Sequence, residues 1–158
     1  MAKIAYMIFC EALESRNRDN IIDVSGVVET NQQGTYPCLL APLAVLRLPF
    51  LPTVFTLSFS AGIFDLNAKD VKKIEIEIKN PSGKVAFKTM LPMIGLEKEI
   101  NKQCQIEDDE LNFIQFAGTL NNIIFVEEGI YTTQIYVNGD EVGSSELDVR
   151  KSRINSIK

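Results

Sequence analysis

Residues 73 to 87 read KIEIEIKNPSGKVAF. Ile74, Ile76 and Ile78 alternate with Lys73, Glu75, Glu77 and Lys79. An extended chain therefore puts every isoleucine on one face and every charge on the other. That is the pattern of a half-buried strand. In the Asn80-Pro81-Ser82-Gly83 that follows, proline presets φ at the second position and glycine accepts positive φ near the end, which is turn chemistry. A hairpin pairing 73–79 with 84–90 is expected.

The same two-residue period recurs along the chain. Tyr131, Thr133, Ile135 and Val137 share a face, and Asn138-Gly139 suits a two-residue hairpin turn whose central positions both take positive φ. Phe55, Leu57 and Phe59 alternate with Thr56, Ser58 and Ser60. The stretch from Lys3 to Leu13 is apolar on both faces, which suits a buried first strand, and ESRNRDN after it reads as a turn. IIDVSGVVET then supplies a second strand over 22–28, paired with the first, with Gly26 marking a bulge or a close backbone approach. NQQGTYP reads as a loop, and Pro42 and Pro49 confine the apolar run beyond it to a short strand over 43–48. PMIGLEKEINKQCQIEDDE keeps no sustained two-residue period and reads as a connection, with a strand over part of it as the alternative, before the apolar strands in LNFIQFAGTLNNIIFVEEG. About eight or nine short strands with turns every ten or so residues predict an all-β fold, an antiparallel β-sandwich, immunoglobulin-like or jelly-roll-like.

A chain of 158 residues, 46% hydrophobic and 23% charged, is long enough for one core and short for two. A single domain over 1–150 with a flexible tail over 151–158 is expected. The net charge is −5, and no long segment carries the basic excess of a phosphate-backbone binder, so no nucleic-acid partner is expected. The densest basic stretches are Lys72-Lys73 and the terminal RKSRINSIK, which reads as a solvated end. The most apolar window, PCLLAPLAVLRLPFLP, is broken by Arg47, Pro42 and Pro49, so no membrane partner is expected either. The N-terminal apolar run ends in Cys10-Glu11 without a cleavage site, and the mature protein is expected to start here. Three cysteines, Cys10, Cys38 and Cys104, lie far apart with no C-x-x-C pair and no histidine in the chain. That pattern excludes the usual zinc sites and fits a cytoplasmic location, with a Cys10–Cys38 bridge as the alternative.

The lack of histidine also removes the common general base and the common triads. Cys10 and Cys38 sit in apolar stretches and Cys104 precedes an acidic run, settings that disfavour a thiolate. Glu127-Glu128 and the run from Glu107 to Glu110 supply carboxylates, read as solvated turns rather than as a facing hydrolytic pair. Asp65, Asn67 and Asp70 make a poor calcium loop, because Lys69 interrupts them and no glycine or glutamate follows at the EF-hand spacing. No phosphate-binding glycine motif occurs. The expectation is a protein that is not an enzyme and takes no cofactor, working through a protein partner or as a homo-oligomer. The apolar 37–52 segment either packs inside or presents Leu46, Leu48, Phe50 and Leu51 as a contact patch. The alternative is a carbohydrate- or small-ligand-binding module using Tyr36 or Tyr136 on an exposed face.

Three motifs carry a resemblance: Cys10-Glu11-Ala12 closing the first strand, the glycine-centred IIDVSGVVET, and EEGIYTTQIYVNGDEV near the end. In this order they resemble a family of small uncharacterised bacterial β-sandwich proteins, a domain of unknown function. The resemblance implies a sandwich and no assigned activity, and it carries no catalytic residue onto this chain. The tyrosine of EEGIY is also placed like that of many immunoglobulin-like sandwiches, near the start of a late strand. The 37–52 segment has no counterpart in the pattern.

Overall fold

Ile74, Ile76 and Ile78 are buried to 2% exposure or less, and each contributes about 1.5–3 kcal/mol by leaving water. In a computed structural model, which describes residues 2–17, 35–66, 70–91 and 113–153, they line one wall of a two-sheet core. Nine strands are present among the described residues: β1 (Lys3–Asn17), β2 (Thr35–Leu43), β3 (Val45–Leu48), β4 (Thr53–Phe64), β5 (Ile74–Lys79), β6 (Val85–Met90), β7 (Phe113–Phe125), β8 (Gly129–Val137) and β9 (Asp140–Lys151). The first sheet has the order β2-β1-β4-β7 and the second β3-β9-β8-β5-β6. Every pairing is antiparallel except that of β3 with β9.

Both expected hairpins form, and local chemistry explains each. In β5–β6 the Gly83 N–H donates to the Asn80 carbonyl at 2.9 Å, and Gly83 takes φ +82°. In β8–β9 the turn residues Asn138 and Gly139 take φ of +54° and +96°. Asn138 does further work: its Oδ1 accepts the backbone N–H groups of Lys72 and Lys73, and its Nδ2 donates to the Asp70 carbonyl. The hairpin tip is thereby tied to the chain leading into β5.

Tyr131 pins the β7–β8 corner. It is 1% exposed; its hydroxyl donates to the Glu127 carbonyl and accepts the N–H groups of Val126 and Glu127, while its ring meets Phe125 edge-on at 5.0 Å. β4 crosses the middle of the first sheet. Leu57, Phe59, Ala61 and Ile63 face the core, and Ser58 and Ser60 are also buried, hydrogen-bonded to Thr119 and Tyr6 on the other face. The strand is thus covered on both faces from Leu57 to Ile63, more than alternation alone implies.

Three expectations need correction. β1 does not stop at the polar cluster: it runs through Glu14, Ser15 and Arg16 to Asn17, with β2 as its partner from Leu13↔Leu39 to Asn17↔Thr35. The expected strand over 22–28 and the connection over 92–110 lie outside the described residues. The single strand over 43–48 is instead the end of one strand and the whole of another, because the chain leaves the first sheet at Ala44 and joins the second as β3. Pro37 and Pro42 are accommodated because, among the described residues, β2 is an edge strand, with no ladder to complete on one side of its backbone. At the other end, β9 reaches Lys151, and the Ser152 N–H donates to the Leu48 carbonyl at 2.7 Å, so pairing passes the expected boundary at residue 150.

Candidate functional site

The four residues of the expected patch part company. β3 alternates, so Leu46 and Leu48 point into the core at 4% and 1% exposure while Val45 and Arg47 point out. Leu51 is partly buried against the same core, and Phe50 stands 58% exposed. Tyr136 is half-buried in a cross-strand row between Glu75 and Glu141, a charged setting rather than a bare stacking platform. The side chain of Tyr36 lies outside the described residues. Cys10 is a buried thiol opposite Pro42, whereas Cys38 lies opposite Glu14. That is four residues along the ladder, about 13 Å, well past the reach of about 7 Å that a disulfide allows. The Cys10–Cys38 alternative is therefore overturned.

The carboxylates have separate employments. Glu127 accepts the Ser82 hydroxyl, and Glu128 accepts the Lys151 N–H at 2.6 Å. Glu107 to Glu110 and Asn67 lie outside the described residues. Among the described residues no three His, Cys, Asp or Glu side chains gather as metal ligands would. On the outer face of the second sheet Glu77 is flanked by Lys88 at 3.2 Å, its ladder partner, and by Lys79 at 3.5 Å. Glu77, by hydrogen bond and by charge, with Glu75 behind it, holds the Lys88 ammonium above the ordinary lysine range.

Two features of the surface stand out physically. The first is a shallow groove of about 460 Å³ where β3 meets the end of β9. The parallel register sets Val45 against Asp148 and Arg47 against Arg150, with Lys151 and Arg153 just beyond. Arg150 Nε lies 2.8 Å from Asp148 Oδ1 as an ion pair that is not aligned as a hydrogen bond. Among the described residues no carboxylate forms an ion pair with Arg47, Lys151 or Arg153. Four cations against two carboxylates leave the groove at +2 in a chain of −5. Reading RKSRINSIK as a solvated end hides it; the available signal is that three of the five arginines sit in VLRL and VRKSR.

The second feature is the outer edge of β7. Natural sheets guard their edges with proline, charge, brevity or a bulge. β2 has Pro37 and Pro42, β3 is four residues long with Arg47, and β6 is six residues long with Lys88. β7 reads FIQFAGTLNNIIF, thirteen residues without a charge or a proline, and among the described residues no strand lies on its far side. Near its end Ile124 and its ladder partner Val54 are both about half exposed, as is Val126.

These strands define a class. β4-β7 in one sheet and β5-β8-β9 in the other run as the B-E and C-F-G strands of an immunoglobulin-like sandwich, with Tyr131 at the corner that opens the F strand. The chain is an immunoglobulin-like β-sandwich with β1 inserted between β2 and β4. It belongs to a family of unknown function, DUF6941, whose model matches residues 5–150, in keeping with the resemblance carried by the sequence motifs. No curated protein matches the sequence. Among solved structures, an immunoglobulin-like protein from Pseudomonas aeruginosa is similar at 9% identity and a TM-score of 0.38, over 95% of this chain and 97% of its own. A Pseudomonas fluorescens alkylpurine DNA glycosylase, bound to DNA containing an abasic site analogue, is similar at 14% identity and a TM-score of 0.35, over 68% of this chain and 28% of its own. Among the described residues no helix is long and apolar enough to cross a membrane.

Proposed function

We propose that the chain is a cytoplasmic, non-enzymatic interaction module that associates with a second copy of itself, the outer edge of β7 pairing antiparallel with its counterpart. The composition of that edge carries the reading: it is the longest of the four sheet edges among the described residues and the only one of them with neither a proline nor a charge, its one irregularity being the bulge at Asn121-Asn122 opposite Thr56. An uncharged strand is its own complement, because two-fold pairing places no like charges opposite each other. The exposed Ile124, Val54 and Val126 add apolar surface for the contact to cover. The separate engagement of Glu127 and Glu128, in a chain without histidine, supports the non-enzymatic part.

Sedimentation velocity of the wild type against Ala117→Lys and Ile124→Lys tests the proposal. Both positions are exposed, so the fold should lose no more than about 0.5 kcal/mol. A dimeric wild type and monomeric variants with unchanged melting are expected. A wild type that stays monomeric at the highest concentration reached refutes the reading.

A further inference from the structure

The β3–β9 groove holds a charge pattern that folding alone would disfavour. Arg47 and Arg150 are direct ladder partners, and like charges facing each other across a ladder are destabilising. Lys151 and Arg153 extend the same sign along the chain. The two carboxylates nearby do not resolve this. Asp148 is taken by Arg150 through Nε, which leaves that guanidinium's two terminal nitrogens available, and Glu128 is taken by the Lys151 backbone.

We propose that the groove binds the phosphate group of a small molecule. Three of its four cations are arginines, whose planar fork matches phosphate oxygens two at a time, whereas a surface kept merely soluble has no need of that geometry. The net +2 answers the charge of a phosphomonoester, about −1.5 to −2 at neutral pH. A volume of about 460 Å³ suits a ligand of metabolite size. A long polyanion fits poorly, since among the described residues the groove gathers only these four cations and the whole chain carries −5. The groove depends on β3 joining β9, so the sheet switch at Ala44 is what brings Arg47 to residues a hundred positions away.

Calorimetric titration of the full chain at fixed ionic strength, with inorganic phosphate and with succinate as a carboxylate dianion, tests the proposal. Phosphate should bind with a dissociation constant of about 1 mM or tighter, and succinate about tenfold more weakly. The double variant Arg47→Gln, Arg153→Gln should lose at least about tenfold in phosphate affinity. A second measurement secures folding: with the like-charge pair relieved, the variant should melt at or above the wild-type temperature without phosphate, and gain less when phosphate is added. Equal thermal gains in both proteins would report only the general exclusion of phosphate from protein surfaces and would overturn the site. So would a wild type that gives no heat with phosphate, or one that takes succinate equally well.

Discussion

Replacing Tyr131 with phenylalanine removes one oxygen from the β7–β8 corner and leaves the edge-on contact with Phe125 in place. That oxygen serves three backbone groups: it donates to the Glu127 carbonyl at 3.1 Å and accepts the N–H of Val126 at 3.1 Å and of Glu127 at 3.3 Å. A hydrogen bond is worth about 0.5–1.5 kcal/mol net, and a buried group left without one costs more. Val126 is 47% exposed, so water reaches part of the corner and replaces some of the loss. The expected cost is therefore about 2 kcal/mol, below the sum of three independent bonds. At about 2–4 °C per kcal/mol for a chain of this size, the melting temperature should fall by about 4–8 °C. Urea unfolding should show a midpoint lowered by about 1 M at unchanged slope. A loss under about 0.5 kcal/mol would mean that the hydroxyl does not hold the corner, and a changed slope would move the effect into the denatured state.

Gly143, at φ +156°, lies where an added Cβ would come within 2.1 Å of Ile4 Cγ2, so Gly143→Ala should cost about 1–3 kcal/mol. Adding Ile4→Ala should return part of that loss, and strictly additive losses in urea would refute the contact. Because Lys88 is raised in the folded state, its ion pair with Glu77 contributes fully below the ordinary lysine pKa and is lost as pH rises through the raised value. Stability should thus be flat on this account from neutrality to about pH 10 and fall above it more steeply in the wild type than in Lys88→Met; identical alkaline limbs would exclude the pair.

What could be read in advance was whatever chemistry stays local. KIEIEIK and GIYTTQIYV each state their own period, and NPSG and Asn138-Gly139 each contain the positive-φ positions that the turns use. Tyr131 was visible for the same reason, since its three partners lie within five residues of it. What stayed hidden depends on partners far away in sequence. The polar Glu14 to Asn17 signal a turn by composition, yet they lie in a strand because β2 offers its backbone opposite them. Leu46 and Leu48 are as apolar as a contact patch requires, and only the pairing of β3 with β9 decides that they face inward. The groove was hidden in the same way: Arg47 and Arg150 each look like an ordinary surface arginine until the register makes them neighbours.

The same register gives Arg47 two consequences. A charge on a four-residue strand keeps the β3 edge from accepting another strand, and it also builds the positive side of the groove. The proposed strand addition would therefore be directed away from this rim. The interlayer contacts place β1 against β9 on one side of the sandwich and β6 against β7 on the other, so the uncharged β7 edge lies across the core from the arginines. Two chains joined along β7 would leave both grooves on the outer rims, open to solvent. Under the two proposals, association and anion binding would draw on separate residues and separate edges, so that a phosphate in the groove should leave self-association unchanged.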